Sequence, residues 1–245
     1  MAIGYDENIV ASGINLRVTR GRITVVLGQS GCGKSTLLKT LIGLIPPIHG
    51  QLDFDDRPVD FLSEDSLRRL YSRIGVLYQN GALLNSLNLF ENVALPITMH
   101  YPGISREIVL EMVVNRLRQV GLSEDVERYP SELSGGMRKR AALARAMILD
   151  PEVILCDEPS AGLDPITATG LDELMIDLKE LLGVTFVVVT HELRSIKRIA
   201  DDVVVIHDGK IRFNGPYHQL EITTDSFVKA FFLRDEAKKR EENLS

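Results

Sequence analysis

Residues Gly28–Thr36 read GQSGCGKST, and no other stretch constrains the chain as much. The first eight fit G-x-x-x-x-G-K-[ST]. The β-rich run Arg22–Leu27 (RITVVL) precedes them, and a helix-forming stretch, Lys34–Leu44, follows and stops at Pro46 and Pro47. Strand, loop and helix in that order are the context a phosphate-binding loop requires. Glycines let backbone N–H groups converge on phosphate oxygens, and the helix start adds a favourable dipole. Gly28, Gln29, Ser30, Gly31, Cys32, Gly33, Lys34, Ser35 and Thr36 are therefore candidate nucleotide ligands. Lys34 is expected to reach the β and γ phosphates, and the Ser35 hydroxyl to ligate Mg²⁺. Cys32 stands at a helix start, where a thiol pKa can fall; it is read as a small residue packed under the loop.

The rest of the chain supplies the matching core. Val153–Cys156 (VILC) and Val184–Thr190 (VTFVVVT) are unbroken apolar runs, suited to strands buried on both faces of a mainly parallel sheet. Ile74–Tyr78 (IGVLY) reads as another strand. Asp201–Gly215 reads as a hairpin turning at Asp208-Gly209. Between Asn80 and Leu149 strand signals fade, and helical ones take over at Ser105–Val120 and Gly135–Leu149. The expected fold class is α/β: a P-loop NTPase core with a mainly parallel sheet, an N-terminal antiparallel β portion and an inserted helical subdomain. Residues 1–79 and 150–220 would form the discontinuous RecA-like core, 80–149 the helical subdomain, and 221–245 a C-terminal helical tail. A length of 245 residues suits one or two domains, and the single phosphate loop excludes a tandem duplication.

Two acids, Asp157 and Glu158, follow VILC directly. Ligands in such sheets lie beyond the carboxyl ends of strands. The VILC strand is expected beside the phosphate-loop strand. Asp157 would then hold Mg²⁺ through its waters, and Glu158 would orient and polarise an attacking water. His191 ends the next apolar strand, where it can donate to a γ-phosphate oxygen. Gln79 ends IGVLYQ, within reach of Mg²⁺ or the water. A second glycine turn, LSGGMRKRAALARA from Leu133 to Ala146, opens another helix. Its exposed N–H groups would make a second anion clamp.

A net charge of −6 argues against a nucleic-acid partner, for which a basic surface is expected. No apolar run approaches the roughly 18 to 20 residues that span a bilayer. Asp6 and Glu7 interrupt the N-terminus, which does not read as a signal peptide. A cytosolic location follows unless a partner holds the chain at a membrane. The two cysteines, Cys32 and Cys156, form no CxxC pair, so neither zinc nor a disulfide framework is suggested.

These elements resemble, in order, the ATP-binding subunits of ABC transporters, from about Tyr5 to Gly215. GQSGCGKS corresponds to Walker A, Gln79 to the Q-loop, LSGGM to the signature, VILCDE to Walker B, SAGLD (Ser160–Asp164) to the D-loop and His191 to the H-loop. The resemblance implies a head-to-tail homodimer with ATP and Mg²⁺ at two composite sites. Ser134, Gly135 and Gly136 of one copy would close over ATP held by the other, Asp164 would lie in the D-loop, and Tyr5 would stack on adenine. The same patch on both copies gives a closed C₂ pair, and hydrolysis would loosen it.

Met137 departs from the glutamine many members carry there. With YQNGALLNSLNLFENVALP, PSELSGGM and DEPSAGLDPIT, it resembles the MlaF-like branch, which drives phospholipid transport between bacterial membranes. That branch implies an integral membrane permease docking near the Q-loop groove, an MCE-domain lipid-binding protein, and a place on the cytoplasmic face of the inner membrane. The leucines of Leu83–Pro96 are read mostly as core of the helical subdomain. Phe227, Ala230 and Phe231 share a helical spacing, which suits either docking on a partner or capping of the chain's own core. Asp235–Glu242 reads as solvated. The alternative function is a soluble ABC-type ATPase, such as an iron–sulfur-cluster assembly factor. Repair ATPases are disfavoured because no sustained heptads separate the Walker motifs, and translation factors because only one phosphate loop is present.

Overall fold

Strand β3 (Ile23–Gly28) is buried at all six positions and so must be flanked on both sides. In the computed structural model, which describes residues 1–220 and 222–232, it lies between β8 (Thr185–Val189) and β9 (Asp202–His207), parallel to both. The six-stranded sheet runs β10-β9-β3-β8-β7-β6, adding β6 (Ile74–Leu77), β7 (Val153–Asp157) and β10 (Lys210–Pro216). All pairs are parallel except β9–β10, the hairpin turning at Asp208 and Gly209. Both turn residues have positive φ, 48° and 67°, which the tight turn between twisted strands requires.

The order corrects one expectation. The strand carrying Asp157 is not beside β3; β8 separates them. TFVVV is buried at every position, and an apolar strand without a polar face is satisfied only in a sheet interior. The crossover from β7 to β8 runs through α6 (Pro165–Leu182) and sets β8 down on the β3 side.

Alternation along the strands divides the core. Val25, Leu27, Phe186, Val188, Val203 and Val205 face one layer, with α3 (Leu89–His100), α4 (Arg106–Gln119), α5 (Gly135–Met147), α6 and α7 (Leu193–Ile199). Val26, Leu155, Val187, Val189, Val204 and Ile206 face the other, with α1 (Lys34–Ile42) and Ile3 and Ala11 of an antiparallel hairpin, β1 (Ile3–Tyr5) and β2 (Asn8–Ala11). A smaller hairpin, β4 (Asp53–Phe54) and β5 (Arg57–Pro58), precedes α2 (Glu64–Tyr71).

Local chemistry places the helix ends. Asn88 and Glu91 form a capping box at α3. Ser134 caps α5 by accepting from Met137 N at 3.2 Å. Asp164 caps α6 by accepting from Ile166 N and Thr167 N, with Pro165 in its first turn. Most apolar residues of Leu83–Pro96 are buried or half-buried, as expected of a subdomain core, and Leu84 is exposed.

Residues 226–232 are helical. Asp225 Oδ1 accepts from Phe227 N at 2.9 Å and Val228 N at 3.1 Å. Phe227 stacks on His207, with centroids 3.7 Å apart, and Val228 is buried. This part of the tail caps the chain's own core. Asp235–Glu242 lies outside the described residues.

Candidate nucleotide-binding site

The loop after β3 is built for close approach. A Cβ on Gly28 would fall 2.1 Å from the Ile206 carbonyl oxygen and 2.7 Å from Cys32 Sγ. Gly31 and Gly33 take φ of 80° and 105°, a region glycine enters without strain. Gly33 is the N-cap of α1 and leaves its first-turn N–H groups without a side-chain acceptor. Cys32 is buried beneath the loop. Lys34 Nζ donates to the carbonyls of Gly28 at 2.7 Å and Gln29 at 2.8 Å, which holds its charge inside the curl. Gln29, Ser30 and Ser35 are exposed, and Thr36 is buried.

Tyr5, half-exposed, lies beside α1. It accepts from Lys39 Nζ at 3.2 Å, and that ammonium sits 5.6 Å from its ring centroid. The Lys39 hydrogen bond, aided by one from Thr36, holds the Tyr5 phenol below its ordinary pKa. The β1–β2 hairpin also covers the loop, since a Cβ on Gly33 would meet Ala11 and Val10.

Asp157 ends β7, where burial and then the neighbouring Glu158 charge push its pKa up, opposed by Lys139, Lys34 and Lys39. The Ser35 hydroxyl, one Asp157 carboxylate and the Gln79 amide are hard oxygen donors. Among the described residues no group of three or more His, Cys, Asp or Glu could hold a metal. Each of the three is the kind of donor that Mg²⁺ takes beside waters and phosphate oxygens.

Glu158 is held on every side. Its φ is 45°, unusual for a residue with a Cβ and maintained only by its surroundings. Its N–H donates to the Val189 carbonyl at 2.8 Å, and its carbonyl accepts from Ala161 N at 3.2 Å and Lys139 Nζ at 3.3 Å. Thr190 Oγ1 donates to Oε2 at 3.1 Å, and His191 Nδ1 lies 2.7 Å from Oε1. A carboxylate fixed this way is suited to orienting a water.

Gln79 lies past the end of β6 in an exposed turn, with Gly81 and Ala82 at positive φ. Its carbonyl accepts from Lys139 Nζ. Gly136 packs against Thr167 of α6, Gly135 lies near Leu163 just before that helix, and Ser134 is exposed. A Cβ on Gly136 would fall 2.3 Å from Thr167 Cγ2, and one on Gly135 3.3 Å from Leu163 Cδ2. Met137, the departure from glutamine, packs on the core. Asp164 is exposed and occupied as a helix cap.

The structure thus joins Glu158 to His191 and Tyr5 to α1, and packs the signature glycines against Thr167 and Leu163. Sequence reading missed Thr190 and Lys139. Thr190 closes an otherwise apolar run, and Lys139 falls on the same helical face as Gly136, Leu143 and Met147.

A phosphate cradle of this form, with a fixed carboxylate two strands away, defines a P-loop nucleotide-binding protein. Residues 11–161, more than half of the chain, match the family model described as ABC transporter, and the chain belongs to that family. It is 38% identical over 227 residues to the probable ribonucleotide transport ATP-binding protein mkl of Mycobacterium tuberculosis H37Rv, covering 93% of this chain and 63% of that protein's length. It is 41% identical over 218 residues to the intermembrane phospholipid transport system ATP-binding protein MlaF of Escherichia coli K12, covering 89% of this chain and 81% of that one. A solved dimer of the ATP-binding cassette MJ0796, in a post-hydrolysis state with ADP and Pi, superposes with a TM-score of 0.77 at 30% identity, covering 88% of this chain and 96% of the other.

Proposed function

We propose that the chain is the ATP-hydrolysing subunit of an ABC transporter that moves phospholipid between bacterial membranes. The observation that carries the hydrolytic part is Glu158, whose carboxylate is fixed by Thr190 and His191 at the end of the strand next to its own. In this reading Gly28–Thr36 hold the phosphates, Lys34 exchanges loop carbonyls for phosphate oxygens, and Tyr5 stacks on adenine. Ser35, Gln79 and Asp157 hold Mg²⁺, Asp157 through water, where the ion neutralises phosphate charge. Glu158 takes a proton from the attacking water, and His191 donates to the γ-phosphate. Ser134, Gly135 and Gly136 close on the ATP of a second copy, with Asp164 at the junction. The dimeric form of the solved relative supports this arrangement.

Residues 80–149 form the arm that carries the signature. Tyr78 and Leu84, which flank Gln79 in the sequence, are exposed apolar side chains, suited to a permease helix laid in a groove. No described helix is long and apolar enough to cross a membrane. In this reading the permease holds the chain on the cytoplasmic face of the inner membrane. An MCE-domain protein completes the complex. Phospholipid is favoured as cargo by the identity to MlaF over most of both chains. The relatives named here are transport ATP-binding proteins, which does not favour a soluble assembly factor.

Gentle solubilisation and purification of the tagged chain at low expression tests this reading. A permease, an MCE-domain protein and bound lipid are expected. Soluble assembly factors without a membrane protein would overturn the transport reading, and bound nucleotide cargo in place of lipid would overturn the phospholipid assignment.

A further inference from the structure

Lys139 is 5% exposed, five residues past the signature serine. A buried ammonium persists only where hydrogen bonds and charge offset its lost hydration. Its Nζ donates to two backbone carbonyls, those of Gln79 and Glu158. One belongs to the turn proposed to meet the metal or the water, the other to the proposed general base. That base is held at a φ that needs external support. Six residues further along α5, Arg145 donates to the carbonyls of Gly81 at 2.8 Å and Ala82 at 2.7 Å. Segment 79–82 is therefore gripped twice by the helix that Ser134 caps. Burial lowers the Lys139 pKa, and the Asp157 and Glu158 carboxylates oppose that.

We infer that Lys139 is a positioning residue for ATP hydrolysis, its ammonium tying the backbones of Gln79 and Glu158 to the signature helix of the same subunit. Engagement of the signature on a partner's nucleotide then moves, or fixes, the water-orienting carboxylate of the subunit that owns it. The two composite sites would be linked through each subunit's α5. This rests on the hydrolytic reading above.

The test compares Lys139→Met, Lys139→Arg and Glu158→Gln in the full chain. It measures turnover, KM, equilibrium binding of a fluorescent ATP analogue, and melting. A misplaced catalytic group costs roughly tenfold to hundredfold in rate. Lys139→Met is expected to lower kcat by about that factor with ATP-analogue affinity nearly unchanged, and Lys139→Arg, which keeps the charge and the donors, to restore most of it. A folded Lys139→Met enzyme with wild-type kcat overturns the inference. So does a parallel fall of affinity and kcat that arginine does not rescue, which marks a purely structural role. If the methionine variant does not fold, Lys139→Gln, a neutral donor, replaces it under the same criteria. Wild-type turnover by Glu158→Gln would instead overturn the hydrolytic reading itself.

Discussion

His191 Nδ1 stands 2.7 Å from Glu158 Oε1, and Thr190, the residue before it, donates to Oε2 at 3.1 Å. One strand end thus fixes both oxygens of a carboxylate that belongs to the neighbouring strand. The pairing sets the direction in which that carboxylate can accept a proton.

Loss of either partner should therefore affect chemistry more than binding. Glu158→Gln and His191→Ala are each expected to lower turnover by about 10²-fold or more, the usual worth of a positioned base, while ATP binding is kept. Thr190→Val should cost less, because one hydrogen bond to the carboxylate remains. Steady-state ATPase assays beside equilibrium nucleotide binding decide it; full activity in the histidine variant would remove His191 from the site.

The approach of α5 to α6 makes a second prediction. With 2.3 Å between a Cβ on Gly136 and Thr167 Cγ2, Gly136→Ala should destabilise the fold by about 1–3 kcal/mol, the usual cost of overpacking. Thr167→Ser deletes that methyl and keeps the hydroxyl, so the double variant should recover most of the loss. Chemical denaturation of the four proteins in the cycle measures the coupling; additive effects would refute direct contact.

Ser134→Arg addresses the composite site. Its side chain would project from an exposed helix start into the proposed junction between copies. ATP-dependent dimerisation, read by light scattering, and turnover should both fall, with single-site ATP binding unchanged. Unaltered activity would mean that the signature serves no nucleotide.

Asp172 on α6 is buried against Ser195 and Arg198 of α7. Burial, the larger influence, raises its pKa above the ordinary aspartate value, although the Ser195 hydrogen bond and the Arg198 charge pull the other way. An acid whose folded pKa is raised contributes stability that is full below the unfolded pKa of about 4. That contribution is lost as pH climbs through the folded value. Asp172→Asn lacks this dependence. The melting temperature of the variant relative to wild type should thus rise as pH climbs above about 4, levelling off once Asp172 is ionised in the folded protein too. A difference independent of pH would contradict the shift.

The two thiols should also differ. Burial pushes Cys156 up to about 12, so alkylation of the native protein near pH 8 should leave it unmodified, while unfolded protein reacts at both cysteines. Mass spectrometry of the peptides reports this directly; rapid native labelling at Cys156 would show that β7 opens.

Much of the site is legible in the sequence because its signals are local. A glycine loop between strand and helix, and acids at a strand end, need no tertiary knowledge. Strand order is not local: VILC and TFVVV are equally apolar, and only the crossover geometry decides which lies beside β3. Lys139 was hidden for a related reason. A cation in a helix reads as solvated until the carbonyls that receive it are known. The tail was ambiguous until the stacking of Phe227 on His207 gave its first turns a partner within the chain.

The interposition of β8 also sets a length. Strands in a sheet lie about 4.8 Å apart, so the ends of β3 and β7 are separated by about 10 Å, two such spacings. In the proposed reading, a lone phosphate seated on the loop would leave the far acids idle, whereas an extended polyphosphate would bridge that gap towards Glu158. On that reading the sheet works as a gauge, with β8 setting how long a phosphate chain the site can span.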